Sequence, residues 1–155
     1  MMAVNARMVA KYFLSRSTPN TDYSITHLKL QKLVYYAQAW HVALNGSENP
    51  LFEDRIAAWV HGPVCRDLYE EFKKYGRFEI EPEEFPMELN EEENKKKLET
   101  LKMVWDNYGE YDGKFLEALT HQELPWIEAR EGYKENESGD VTISLESMES
   151  FYKKH

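Results

Sequence analysis

The sequence has one cysteine, Cys65, so a disulfide framework within the chain and a cysteine-rich zinc site are both excluded. Its glycines stand singly, at 46, 62, 76, 109, 113, 132 and 139, and none builds a phosphate-cradling loop. There is no GxSxG elbow, and no HExxH pair that would put two metal ligands on one helical face. No apolar run approaches the roughly 18 to 20 residues that cross a bilayer. Residues 1 to 16 lack the apolar stretch and small-residue cleavage site of a signal peptide. These absences point to a cytoplasmic chain with no membrane association and no cofactor. Net positive charge is missing too: 28 acidic residues outweigh 19 basic ones, a net of −9. Nucleic-acid binders draw affinity from phosphate contacts and are expected to be basic, so nucleic acid is not the expected partner.

What is present is material for a core. Hydrophobic residues make up 42% and aromatics 14%, enough for a packed single domain over residues 1–155 and too much for a disordered chain. The 4 Trp, 10 Tyr and 7 Phe suit a tight interior and an adhesive surface alike. Charge is uneven. Residues 1 to 46 carry Arg7, Lys11, Arg16, Lys29 and Lys32 against Asp22 alone, a local +4 that leaves −13 for the remainder. A basic face on the first two helices is therefore expected.

Residues 3 to 16 read as a helix, with Val4, Met8 and Tyr12 at helical spacing, and residues 17 to 22 as a loop. From Thr26 to Leu44 there is no Gly or Pro, and Leu30, Leu33, Val34, Ala37, His41 and Leu44 recur at steps of three and four. Thr26 is the expected N-cap and Gly46 the stop. Residues 55 to 60 read as a short strand or extended segment. Gly62-Pro63 then sets Pro63 at the first position of a helix ending near Tyr75. Residues 79 to 93, with eight Glu plus Pro82 and Pro86, read as a solvated loop, and Asn90 as the cap of a helix running to Tyr108. Asp112 caps a helix from Gly113 to Thr120, and Pro125 sits early in the next. A polar loop over 135–140 leads to extended Thr142 and Ile143, and Ser144 opens a last helix through Phe151. The expected fold class is mainly α: a single helical domain with a small β element, either short strands or a hairpin.

Two constellations hint at chemistry. Cys65 falls in the first turn of a predicted helix with His61 four residues upstream, the thiol and imidazole of a cysteine enzyme. The competing reading is a small buried hydrophobe. His121 and Glu123, two residues apart, suit a metal-ligand pair in a loop, at a spacing common by chance. Three stretches carry more information: Leu28 to Trp40 (LKLQKLVYYAQAW), Trp59 to Val64 (WVHGPV) and Thr120 to Trp126 (THQELPW). Each mixes aromatics with residues that fix backbone geometry, and most of these aromatics are expected inside.

In this order and spacing the three stretches resemble the Panacea antitoxin domain, the family of SocA-like and phage-associated GepA-like proteins, over roughly residues 5 to 130. The resemblance implies a mainly helical fold and an antitoxin-type protein from a prophage or mobile element. Such a protein neutralises a cognate toxin by direct contact, and some SocA-like members deliver the toxin to a protease as adaptors. It implies no catalytic residues, so the chain is not expected to be an enzyme. The expected partner-binding residues are exposed members of the first two helices and of the His-Gly-Pro turn: Lys29, Lys32, Tyr35, His61 and Pro63. Two other functions stay open at this point, a Cys65/His61 enzyme and an autoregulatory DNA-binding protein that uses residues 1 to 46.

Overall fold

The stretch after Thr26 that contains neither Gly nor Pro becomes the axis of the molecule. In the computed structural model, which describes residues 4–86 and 89–155, it forms helix α2, His27–Asn45. Thr26 Oγ1 accepts from Lys29 N at the start, and Gly46, with φ +93°, closes the end. The other helices are α1 (Ala6–Arg16), α3 (Arg66–Phe72), α4 (Lys95–Tyr108), α5 (Gly113–Thr120), α6 (Leu124–Ala129) and α7 (Leu145–Tyr152). Two strands, β1 (Ile56–Trp59) and β2 (Gly62–Cys65), form an antiparallel hairpin. The fold is mainly α with a small β element, as the sequence implies. The helix expected from residue 3 starts at Ala6, capped by Asn5 Oδ1 on Met8 N; residue 3 itself lies outside the described residues.

Helix α2 packs against α1, α4, α5, α7 and β2. It has no solvent-facing stripe: Leu30, Leu33, Val34, Tyr35, Tyr36, Ala37, Ala39 and Val42 are all fully buried. Such a helix must find an internal partner for each polar side chain it carries. Gln38 does so by reading the extended chain at Leu51 and Phe52. Its Oε1 accepts from Leu51 N at 2.8 Å and its Nε2 donates to Phe52 O at 2.7 Å. His41 Nδ1 meets Thr100 Oγ1 of α4 at 2.8 Å, and burial pushes its imidazole down to about 4, so it is neutral at pH 7.

Pro63 does not start a helix. It lies in β2 opposite Ala58, in the register Ile56↔Cys65, Ala57↔Val64, Ala58↔Pro63 and Trp59↔Gly62. Ala58 N points away from β2 and donates to Val141 O at 2.8 Å, so the missing N–H of Pro63 removes no ladder bond. The helix begins three residues later, at Arg66. A one-turn 3-10 segment, Lys73–Tyr75, follows it and ends at Gly76, as expected. Ile143 N donates to Ile56 O and Thr142 bridges Ala57, so residues 141–143 cover the free edge of β1.

The acidic stretch after Gly76 is tacked down rather than merely solvated. Ile80 N donates to Ile25 O at 2.7 Å and its side chain is buried. Phe85 meets Tyr12 edge-on at 5.4 Å, and Glu83 accepts both of its hydrogen bonds from Arg7 Nη2. Glu88 lies outside the described residues. Asn90 caps a turn over 91–94 and not the helix itself, which starts at Lys95.

Helix α7 closes over α2 through a buried hydroxyl cluster. Asp112 and Ser144 cap α5 and α7 as predicted. Glu123, at the α5–α6 turn, accepts from Tyr36 Oη at 2.7 Å and Tyr152 Oη at 2.8 Å, and Tyr35 Oη lies 3.0 Å from Tyr152 Oη. Burial raises the Glu123 carboxyl above its ordinary range, and the two tyrosine donors offset part of that rise. Replacing Glu123 by Ala leaves two tyrosine hydroxyls without an acceptor, at about 1–3 kcal/mol each. Glu123→Ala should therefore lower the urea midpoint clearly, while Glu123→Gln, which keeps an acceptor oxygen, should lower it less. Chemical denaturation of the two variants measures the difference.

Candidate partner-binding site

The β1–β2 hairpin turns at Val60-His61, and side chains from the other two sequence motifs bracket its backbone. From α6 and its ends, Arg130 Nη1 donates to Ala58 O at 3.4 Å and Trp126 Nε1 to Trp59 O at 2.8 Å, while His121 Nε2 lies 2.9 Å from Val60 O. The His121 ring stacks on Trp126 with centroids 3.9 Å apart, and its Nδ1 contacts Glu117 O. On the opposite side, α2 reads β2. Gln31 Oε1 accepts from Cys65 N at 2.8 Å and Gln31 Nε2 donates to Cys65 O at 3.3 Å. Gln31 Nε2 is also 3.0 Å from His27 Nε2. That nitrogen must therefore be the unprotonated one, in a ring that burial first and the Lys32 charge second push down to about 4.

Lys32 lies beneath the turn. It is fully buried, and Nζ donates to Pro63 O at 3.1 Å, its one hydrogen-bond acceptor among the described residues. Burial pushes the amine from its ordinary 10.5 down to about 7, with Glu117 acting in the opposite sense. Gly62 makes this possible. Its φ is +108°, and a Cβ there would sit 2.7 Å from Lys32 Cε.

A groove of about 780 Å³ opens beside the turn. Trp59, Val60 and Val64 of the hairpin, Leu28 of α2 and Tyr69 of α3 supply its apolar wall. Trp59 meets Tyr69 edge-on at 4.9 Å and donates through Nε1 to Asp140 at 2.9 Å. Arg66 and Arg55 both pair with Asp140, and the Trp59 hydrogen bond first, with these charges second, holds its carboxyl below the ordinary range. At the rim, His61 Nδ1 lies 3.0 Å from Glu117 Oε2, with Lys114 at 3.5 Å from the same carboxylate. Burial works to raise the Glu117 carboxyl, but the His61 hydrogen bond and the Lys114 charge outweigh it and hold it low.

The five expected binding residues separate sharply. His61 is exposed, with 70% of its side chain accessible. Lys29, Lys32, Tyr35 and Pro63 are buried, which corrects the expectation that they face solvent. Lys29 Nζ is held by three carbonyls, Asp22 O, Ser24 O and Gly109 O, at 2.6 to 3.0 Å, and burial pushes it down to about 8. Tyr35 belongs to the hydroxyl cluster. The basic face of residues 1–46 dissolves for the same reason: two of its lysines are interior, Arg7 pairs with Glu71 and Glu83, and Lys11 lies 3.9 Å from Glu83.

The chemical constellations do not assemble. Cys65 is buried, and burial with nearby Asp54 pushes its thiol up to about 12, the reverse of a reactive cysteine. The donor atoms of Asp54, Cys65 and Asp67 lie within 4.8 Å of one another. Asp54 Oδ1 already accepts from Ala6 N, and a hydrogen bond shared with Asp54 raises Asp67, so Asp54 serves as an anchor for the start of α1. His121 and Glu123 face different partners, the Val60 carbonyl and the tyrosine hydroxyls. Arg130 and Gln31, which lie outside the expected set, turn out to be central. Gln31 stood inside the first motif, but nothing in the sequence marked which backbone groups it meets.

Residues 30–127 match the family described as antitoxin SocA-like, Panacea domain. The chain belongs to that family. The matched span takes in most of α2, the hairpin and the α5–α6 corner, which are the elements that bracket the turn. No curated protein and no solved structure matches the chain significantly. No described helix of this Panacea domain is long and apolar enough to cross a membrane.

Two outcomes follow. Between pH 7 and pH 10 the unfolded chain keeps a proton on Lys32 that the folded chain releases, so this position adds stability as pH rises through that window. Below pH 7 both states hold the proton and the cost is constant. Lys32→Met should flatten the rise of Tm between pH 7 and pH 10, with the variant gaining most relative to wild type on the acid side. Alkylation of Cys65 by iodoacetamide at pH 8 should be slow in the native protein and fast in denaturant, followed by mass spectrometry.

Proposed function

We propose that this chain is an antitoxin that works in the cytoplasm and neutralises a cognate toxin by direct contact around the hairpin turn and its groove. One observation carries the reading. The three motifs that the family match spans lock a two-residue turn in place from both sides and leave Val60, His61 and the groove mouth accessible. A surface held this way loses little conformational freedom when a partner docks, so contact energy is not consumed in ordering it. The net charge of −9 adds long-range attraction for a toxin with a basic active face. An adaptor role, in which bound toxin passes to a protease, would add to this contact and not replace it.

The test is co-expression with the adjacent open reading frame, scoring growth and co-purification. A neighbour that is toxic alone and harmless in a stable complex supports the reading; a harmless or unbound neighbour sinks it. Within the complex, His61→Ala should weaken co-purification while leaving Tm nearly unchanged, since an exposed ion pair contributes about 0–1 kcal/mol. Tyr35→Ala should lower Tm instead.

A further inference from the structure

The charges that line the groove run against those of the chain. Lys32, Arg66 and Lys114 face it, with two carboxylates, Glu117 and Asp140. Asp140 has a cation to spare. Asp140 pairs with Arg55 as well as Arg66, so Arg66 can turn to a ligand without stranding it. Glu117 pairs with both His61 and Lys114. Beneath them lies Lys32, fully buried, with one hydrogen bond to Pro63 O and no carboxylate in direct contact among the described residues. The result is a local excess of positive charge, in a chain of net −9, beside an apolar wall of Leu28, Trp59, Val64 and Tyr69.

We propose that this groove takes an acidic segment of the partner protein: a Glu or Asp carboxylate set between Arg66, Lys114 and His61 above the Lys32 ammonium, with a neighbouring large apolar side chain against Trp59 and Val64. The groove is open to solvent, a shape that accepts a passing chain. A polyanion such as nucleic acid is repelled at long range by the net charge, whereas a basic partner that displays one acidic segment is not. This inference deepens the antitoxin reading and rests on it for the partner's being a protein. It also makes binding proton-linked. An anion above Lys32 favours its charged form, so affinity falls as pH rises from 6 to 9. The titratable and charged groups that line the groove with Lys32 are Glu117 and Lys114 of α5, His61 of the turn, Arg66 of α3, Asp140, and His27 of its own helix, which burial keeps neutral.

The experiment is a titration of the full-length, isotopically labelled protein with the capped peptide Ala-Phe-Leu-Glu-Asp-Ala, and with versions carrying Gln-Asn or Lys-Lys in place of Glu-Asp. The readout is the Trp59 indole N–H resonance, assigned with Trp59→Phe. The acidic peptide should shift this resonance, and the Lys-Lys version should bind roughly tenfold more weakly or not at all. R66Q/K114Q, both exposed positions, should weaken the acidic peptide roughly tenfold, and Lys32→Met should remove most of its pH dependence. Equal binding of the Lys-Lys version, or no shift of the Trp59 signal by any of the three, overturns the proposal. Failure here is separable from failure of the antitoxin reading. A toxin neutralised as well by R66Q/K114Q as by wild type removes the groove and keeps the antitoxin. Peptide binding with no toxic neighbour does the reverse.

Discussion

A helix buried on every side until its last turn is the constraint from which the rest of this structure follows. The polar residues of α2 before that turn are shut away from water, and an unmet polar group in a core costs about 1–3 kcal/mol. Their partners are therefore built into irregular chain around the helix. Gln31 and Gln38 are seven residues apart, two turns along one face, and each presents its amide as a strand would. One takes both backbone groups of Cys65, and the other takes Leu51 N and Phe52 O. Lys29 gathers three carbonyls from the 22–24 loop and the end of α4. The helix thus fixes the segments between helices as well as the packing of the helices themselves.

The hairpin shows what that arrangement achieves. Two-stranded hairpins are marginal alone in water. Here one edge is covered by residues 141–143 and the other by Gln31 and Lys32, while His121, Trp126 and Arg130 bracket the carbonyls of residues 58 to 60. Of the sequence motifs, Gln31, Lys32, His121 and Trp126 are occupied in this bracing, while Lys29, Tyr35, Tyr36 and Gln38 hold other segments. The motif residues are scaffold, and the surface they present is the short turn and the groove beside it.

The sequence was legible where the physics is local. Thr26, Asp112 and Ser144 accept from backbone N–H groups one turn on, and Gly46 sits at positive φ, as spacing alone suggested. The misreadings share a cause. Pro63 fits the first turn of a helix by local rule, but strand pairing with Ala58 decides its conformation. Lys29 and Lys32 read as surface because charged side chains usually are, and the carbonyls that make burial tolerable, two in the preceding loop and the rest far along the chain, are brought to them only by the fold. The Glu-rich stretch reads as loose because its few apolar residues are outnumbered, yet Ile80 and Phe85 anchor it. The groove was not legible at all, since five separate elements contribute its walls.

Burying the lysines changes the outer charge as well as the core. Arg7 and Lys11 are tied to Glu83, and Lys29 and Lys32 are interior, so the basic excess of the first 46 residues does not reach the surface. The exterior is thus more uniformly acidic than the composition suggests. A basic protein is attracted over a Debye length of about 8 Å at physiological salt, which sets encounter and not register. Register needs a feature of opposite sign at short range, and the groove, lined by Lys32, Arg66 and Lys114, is the proposed place for one. Long-range attraction and short-range discrimination are then carried by different charges, and each can be altered without the other.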